Sequence, residues 1–171
     1  MIFSCSLAHN IPFFSIFTAM FAGIVGSLIK NGKTARRFHI ACIFVIGLMS
    51  AVLLVHTLSG VERFTFLMGH FPAPWGNELK AGPLEAILSL SFSVVMILTV
   101  IGGEYMIEKD ILPEKQSMYF VMLSLVFGAM IALIYTNDLF TGYVFIEINT
   151  ICSCALIMSK DSGTSILSTI R

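Results

Sequence analysis

The segment "DLFTGYVFIEINTICSCALIM", residues Asp138 to Met158, decides how the whole sequence is interpreted. It is as long and as apolar as a membrane-spanning helix, which needs about 20 mostly apolar residues. Near its middle, however, it contains a glutamate, Glu147, and its only other ionisable side chains after Asp138 are Tyr143 and two cysteines. A single acid in such a segment needs a physical reason.

The composition is that of an integral membrane protein. Of the 171 residues, 57% are hydrophobic and 12% are charged, whereas soluble domains carry about 25% charged residues. The formal net charge of zero gives no basic field of the kind that nucleic-acid binding needs. Cys152 and Cys154 are two residues apart and therefore face different sides of a helix. We expect no metal site, disulfide or cofactor in this chain.

Five apolar stretches are each long enough to cross a bilayer as a helix. The predicted spans are Ile11–Ile29, Phe38–Leu58, Leu84–Gly103, Gln116–Thr136 and Leu139–Met158. The predicted fold is therefore all-α, a polytopic bundle of five transmembrane helices that forms a single membrane domain over residues 1–171.

The basic residues predict the orientation of this bundle, because cytoplasmic loops carry an excess of lysine and arginine. Eight basic residues fall on one side of the membrane and two on the other. The first group is Lys30, Lys33, Arg36, Arg37, Lys109, Lys115, Lys160 and Arg171, and the second is Arg63 and Lys80. We expect the N-terminus outside, the C-terminus inside, and a multi-pass location in the inner, cytoplasmic membrane.

Two features outside the helices have predicted structural roles. The long external segment, residues 59–83, contains Pro72, Pro74 and Trp75. We expect these residues to shape a rigid surface loop, with the tryptophan at the level of the lipid headgroups. Asp138 precedes the fifth span, and its carboxylate is expected to cap the free N–H groups of that helix.

Glu147 lies nine residues beyond Asp138, about 13 Å along a helix axis and close to the centre of the hydrocarbon core. An ionised carboxylate there costs at least ~2.5 kcal/mol. Two interpretations remain open: a protonated acid that hydrogen-bonds a neighbouring helix, or a titratable station on an ion or proton path. None of the five predicted spans has a Lys, Arg or His at mid-span, so either the acid is neutral or another chain provides its partner charge.

Two motifs resemble one family of membrane subunits. "YTNDLFTGYVFIEINTICSCALI" is similar to the fourth-to-fifth helix region of antiporter-like subunits. These are the D subunit of Mrp-type sodium/proton antiporters and its relatives in membrane-bound hydrogenases and respiratory complex I. "GHFPAPWGNELKAGPLEAIL" resembles the external loop ahead of the third helix in the same family. The resemblance implies that Glu147 is the acidic member of an ion pair with a lysine on the seventh helix, on a hydrated proton path.

The resemblance also implies that this chain is one part of a larger unit. Family members have many more helices, and the lysine-bearing ones have no counterpart in these 171 residues. We therefore expect the N-terminal part of a split subunit, completed by a second chain that carries the later helices and their lysines. A truncated member of the family is the alternative.

The predicted function is a subunit of a multisubunit monovalent cation (sodium)/proton antiporter, in which Glu147 contributes to the proton or ion path. The chain is not expected to be an enzyme by itself, and its expected partners are the lipid bilayer and other membrane subunits of the assembly. Two alternatives remain open. One is a proton- or sodium-pumping membrane subunit of a redox complex of the hydrogenase or NADH-quinone oxidoreductase type. The other is a structural assembly subunit with an inert buried acid.

Overall fold

Each of the five predicted spans corresponds to one helix in the computed structural model, which describes residues 9–59, 63–67 and 76–160. Two short strands and one short helix lie between them. In chain order the elements are α1 (Ile11–Gly26), α2 (Gly32–Leu58), β1 (Phe64–Leu67), β2 (Glu78–Ala81), α3 (Pro83–Gly102), α4 (Glu104–Asp110), α5 (Pro113–Tyr135) and α6 (Leu139–Met158).

Four helices of the described residues, α2, α3, α5 and α6, are long and apolar enough to cross a membrane. The apolar helix α1 has 16 residues, about 24 Å at 1.5 Å per residue, which is shorter than a typical hydrocarbon core of about 30 Å. The prediction of a helical, multi-pass membrane protein is therefore confirmed, with four spans assigned by length and composition.

Local sequence explains where these helices begin. A proline occupies one of the first two positions of α1, α3 and α5. An N–H group at these positions would have no hydrogen-bond partner within the helix, so its absence in proline costs nothing, and the fixed φ of proline suits a helix. The helix α2 begins at Gly32, six residues before the predicted span. Its start is set by Asn31, whose side-chain oxygen accepts a hydrogen bond from the N–H of Lys33 at 3.1 Å.

The helices form an antiparallel bundle in which α1 and α6 both pack against α5, and α2 packs against α3. Small residues allow a close approach between α1 and α5. A Cβ atom added at Gly128 would lie 3.2 Å from the Cβ of Ala19, and one added at Gly23 would lie 2.9 Å from Leu125. The core of the bundle is closed by large side chains of α2 and α5, including Ile46 and Phe127.

A small antiparallel sheet covers one end of the bundle, within the segment that the sequence predicts as a surface loop. The strands β1 and β2 pair with Phe64 opposite Ala81. In β2 the buried residues Leu79 and Ala81 alternate with half-buried polar ones, as expected for a strand with one face on a core. The backbone N–H of Asn137 donates to the carbonyl of Glu78 at 2.9 Å. The sheet is thus tied to the turn between α5 and α6, and we call this side of the bundle the sheet end.

At the opposite end, the short helix α4 is held by ion pairs, and we call this side the α4 end. Its acidic residues Glu104, Glu108 and Asp110 pair with Arg36, Lys33 and Lys160, respectively. The hydrogen bond from Lys160, at 2.8 Å, lowers the pKa of Asp110 below its ordinary value. These ion pairs join α4 to the first turns of α2 and to Lys160, two residues after the end of α6.

Candidate functional site

The helix α6 begins at a well-formed cap on Asp138. One carboxylate oxygen accepts hydrogen bonds from the N–H of Thr141 at 3.0 Å and from its hydroxyl at 2.7 Å, and the other accepts from the N–H of Phe140 at 3.4 Å. These bonds, with that of the Thr141 hydroxyl foremost, lower the pKa of Asp138. The Thr141 hydroxyl also contacts the side-chain oxygen of Asn77 at 2.8 Å. The cap therefore fixes both the start of α6 and its position against the segment before β2.

One side of α6 packs against α5, and the other side is open in the described part of the chain. The buried residues of α6 are Thr141, Gly142 and Cys152. Most of the exposed residues beyond the first turn lie on one helical face, which we call the open face of α6: Tyr143, Ile146, Glu147, Thr150, Ile151, Cys154, Ile157 and Met158. Six of these eight residues, all but Glu147 and Thr150, are apolar, aromatic or thiol side chains, so the open face is suited to a membrane or to further helices.

Glu147 lies at the middle of this open face. It follows Leu139, the first residue of α6, by eight positions, which places it about 12 Å along a helix of about 30 Å. Its side chain is exposed, so the chain's own helices do not bury it. If nothing else covered α6, an ionised carboxylate would face lipid near mid-depth, at a cost of at least ~2.5 kcal/mol.

The immediate neighbours of Glu147 are polar but not cationic. Tyr143, one turn earlier, brings its hydroxyl beside the Glu147 carboxylate, and the hydroxyl of Thr150 donates to the Glu147 backbone carbonyl at 2.8 Å. Among the residues that the structure describes, no Lys, Arg or His forms an ion pair with Glu147. Tyr143 had no assigned role in the sequence analysis, although its spacing of four residues from Glu147 is the signal of a shared helix face.

Other residues discussed from the sequence take different positions. His39 lies about two turns inside α2, seven residues after Gly32, the first residue of this helix. It is buried, and its Nδ1 lies 2.6 Å from the hydroxyl of Ser124 on α5. Cys152 is buried and Cys154 exposed, as their spacing predicts. The predicted loop residues Pro72, Pro74 and Trp75 lie outside the described residues.

Comparison with known proteins gives a consistent picture. No protein-family model matches the chain. It is 27% identical over 155 residues to NADH-quinone oxidoreductase subunit N of Desulforudis audaxviator (strain MP104C), with 88% of this chain and 30% of that protein covered. It is 28% identical over 129 residues to the D subunit of the Na(+)/H(+) antiporter of Bacillus subtilis (strain 168), with 75% of this chain and 25% of that protein covered. The chain thus spans about a third or less of the length of these relatives.

A solved structure has the same fold. The match is to a chain of the membrane-bound sulfane sulfur reductase, an archaeal respiratory membrane complex, with a TM-score of 0.77 and 21% sequence identity over 96% of this chain and 32% of that chain. The chain is therefore similar, over most of its length, to antiporter-type membrane subunits of the Mrp and complex I-like kind, which confirms the resemblance drawn from its two sequence motifs.

Proposed function

We propose that this chain forms part of a membrane subunit of a multisubunit monovalent cation/proton antiporter, with sodium as the cation, and that Glu147 is a station on its proton or ion path. The observation that supports the proposal is the position of Glu147, exposed near the middle of α6 on its open face. The similarity to a protein named as the D subunit of a sodium/proton antiporter supports this choice.

The open face of α6 is covered by further membrane helices in the assembled subunit, and one of them places a lysine beside Glu147. An apolar face with one central carboxylate favours such an occupant, because a cation at ion-pair distance compensates the cost of an ionised group in the membrane. These helices belong to the chain that completes the subunit, together with the other membrane subunits of the complex.

The ion pair provides a means of moving a proton. While the lysine is close, the ionised form of a buried carboxylate is favoured, and when the lysine moves away the neutral, protonated form is favoured. Opening and closing the pair would therefore bind and release a proton at Glu147. The hydroxyl of Tyr143 beside the carboxylate is placed to hydrogen-bond either form.

The same proposal includes the membrane topology. The helix α1 acts as a fifth span, the sheet end faces outward, and the α4 end faces the cytoplasm across the inner membrane. The basic residues Lys33 and Arg36, at the start of α2, lie at the α4 end, in agreement with the excess of positive charge on the cytoplasmic side.

A second candidate function is proton or sodium pumping driven by a redox reaction. It is favoured by the similarity to a protein named as a subunit of NADH-quinone oxidoreductase, which covers more of this chain than the antiporter relative does. The role of Glu147 is the same in both candidates, and only the partner subunits differ. Purification of the complex from native membranes distinguishes them, since iron–sulfur subunits accompany only the redox pump.

The test of the proposed function is the Glu147→Gln variant, with Glu114→Gln as the matched control, an exposed acid in the first turn of α5. Sodium-dependent proton movement is measured in membrane vesicles, and assembly of the complex is checked by native electrophoresis. We expect Glu147→Gln to abolish proton movement while assembly is retained, and Glu114→Gln to behave as wild type. Unchanged transport in Glu147→Gln would refute the proposal, whereas loss of assembly would indicate the structural role.

A further inference from the structure

A second group of polar side chains is buried inside the bundle, away from the open face of α6. The hydroxyl oxygens of Ser50 on α2 and Ser89 on α3 lie 2.7 Å apart, and both residues are fully buried. The hydroxyl of Tyr135, the last residue of α5, lies beside this pair. Tyr135 is also fully buried, and its hydroxyl makes no hydrogen bond of ordinary geometry within the described residues.

Ser89 belongs to a polar line along α3. Glu85, Ser89 and Ser93 follow at intervals of four residues, so they lie on one face of the helix. The hydroxyl of Ser93 donates to the carbonyl of Ser89 at 2.8 Å. Glu85 acts electrostatically on Tyr135, and one of its carboxylate oxygens is buried without a hydrogen bond to the described residues. The line therefore joins an acid at the sheet end to buried hydroxyl groups.

The depth of this line matches that of Glu147. Ser93 lies ten residues beyond Pro83, the first residue of α3, which is about 15 Å from the sheet end. Glu147 lies about 12 Å from the start of α6 at the same end. Deeper in the bundle, the buried residues include the apolar Ile43 and the polar contact between His39 and Ser124. The polar line along α3 thus extends from the sheet end to about the middle of this helix.

Close helix contact alone explains only part of this arrangement. Serines in membrane helices commonly donate to the carbonyl four residues earlier, as Ser50 does to Ile46 at 2.9 Å. That role requires no tyrosine. The buried hydroxyl of Tyr135 and the buried oxygen of Glu85 are polar groups without ordinary partners among the described residues, and such groups are expensive to maintain in an apolar interior.

We propose that Glu85, Tyr135, Ser50 and Ser89 form an access path for protons between the sheet end and mid-depth of the membrane. The inference rests on the proposed function, to which it adds a route within this chain's own helices. Glu85 takes a proton from water at the sheet end, beside the stem of Arg63. Each hydroxyl group then accepts a proton at its oxygen and releases its own proton to the next group, and the last one releases its proton to a water molecule at mid-depth, so that only O–H bonds are broken and formed.

The test compares variants of buried residues with the same changes at exposed positions. Tyr135→Phe and Ser89→Ala remove one hydroxyl each from the path, and Tyr105→Phe and Ser91→Ala remove the same groups from exposed sites. In vesicles containing the complete complex, we expect the first two variants to lower the maximal rate of proton movement at least tenfold without changing the KM for sodium. The two control variants should transport at the wild-type rate.

The outcomes separate this inference from the proposed function. Wild-type rates in Tyr135→Phe and Ser89→Ala, with transport abolished in Glu147→Gln, would overturn the access path and leave the proposed function standing. A change in the KM for sodium at an unchanged maximal rate would also overturn it. If Tyr135→Phe fails to assemble, Glu85→Gln at the sheet end is the decisive variant. We expect it to lower the maximal rate of proton movement by the same factor of ten. A wild-type rate in Glu85→Gln would contradict the access path.

Discussion

The contact between α1 and α5 allows a quantitative test of the fold through a single glycine. Gly128 is buried at this contact, and an added Cβ would lie 3.2 Å from the Cβ of Ala19 and 3.4 Å from the methyl carbon of Met20. Carbon atoms prefer separations of about 3.5–4.0 Å, so even one methyl group needs a small shift. The further carbons of a leucine have no space unless the two helices separate.

We therefore expect Gly128→Leu to destabilise the protein by about 1–3 kcal/mol, the usual cost of overfilling a well-packed interior. The matched control is Gly102→Leu, at the end of α3, because an added Cβ there meets no atom within 4 Å. Both changes replace a helical glycine by leucine, and the gain in helix propensity, which is larger in the interior of α5 than at the end of α3, opposes the expected difference. A lower stability of Gly128→Leu relative to Gly102→Leu therefore reports the contact.

Thermal unfolding of the purified protein in mild detergent measures this difference, with a thiol-reactive fluorescent dye that detects the free cysteines as they become exposed. Cys152 is buried and Cys42 is partly buried, so both report loss of the bundle. We expect Gly128→Leu to melt several degrees below Gly102→Leu. Equal melting temperatures would show that α1 and α5 do not approach each other as described.

Two further predictions concern buried and exposed polar contacts. Ser124→Ala removes the hydrogen-bond partner of the buried His39 and should lower stability by about 1–3 kcal/mol in the same unfolding assay, whereas Thr99→Ala, at an exposed site on α3, should have little effect. The pKa of Asp110 is lowered by Lys160, so their pair stabilises the protein above the ordinary Asp pKa, and this contribution is lost as pH falls through the lowered pKa. The protection factors of the α4 amides, which correct for the intrinsic pH dependence of hydrogen exchange, should therefore fall over that acidic range, and Lys160→Gln, which removes the pair, should weaken this pH dependence.

The helices are the part of the fold that the sequence predicts best, because apolar runs of this length must satisfy their backbone groups internally in a membrane. The helix α6 has the predicted bounds, Leu139 to Met158, since Asp138 sets its start. The start of α2 differs by six residues because it lies in the polar segment around Asn31 and Gly32. Hydropathy does not detect a helix that continues beyond the apolar core.

The short elements could not be predicted with the same method. The strand β2 has four residues, of which Leu79 and Ala81 are buried, and two apolar residues are too few to establish an alternating pattern. The helix α4 has seven residues and none is buried. It is held by ion pairs with distant parts of the chain, such as that between Glu108 and Lys33, and a local pattern cannot reveal these partners.

The candidate site, like the fold, could be predicted from the sequence only in part. A lone carboxylate in an apolar segment identifies Glu147 as a candidate from the sequence. The face on which it lies depends on how α6 meets α5, because apolar residues occur on every side of α6 and its buried residues are only Thr141, Gly142 and Cys152. The cluster of Tyr135, Ser50 and Ser89 was missed for a related reason, since its members come from three different helices.

The most direct test of the account is to identify what covers Glu147. A photoreactive benzoylphenylalanine replaces Tyr143, on the open face one turn from Glu147, and in a control it replaces Phe145, which is half-buried. After irradiation of native membranes, mass spectrometry identifies the crosslinked segments. We predict that the probe at position 143 crosslinks to a further membrane helix with a lysine at the depth of Glu147, while the probe at position 145 yields that product at most weakly. Crosslinks from position 143 to lipid alone, or to helices without a basic residue at that depth, would contradict the account.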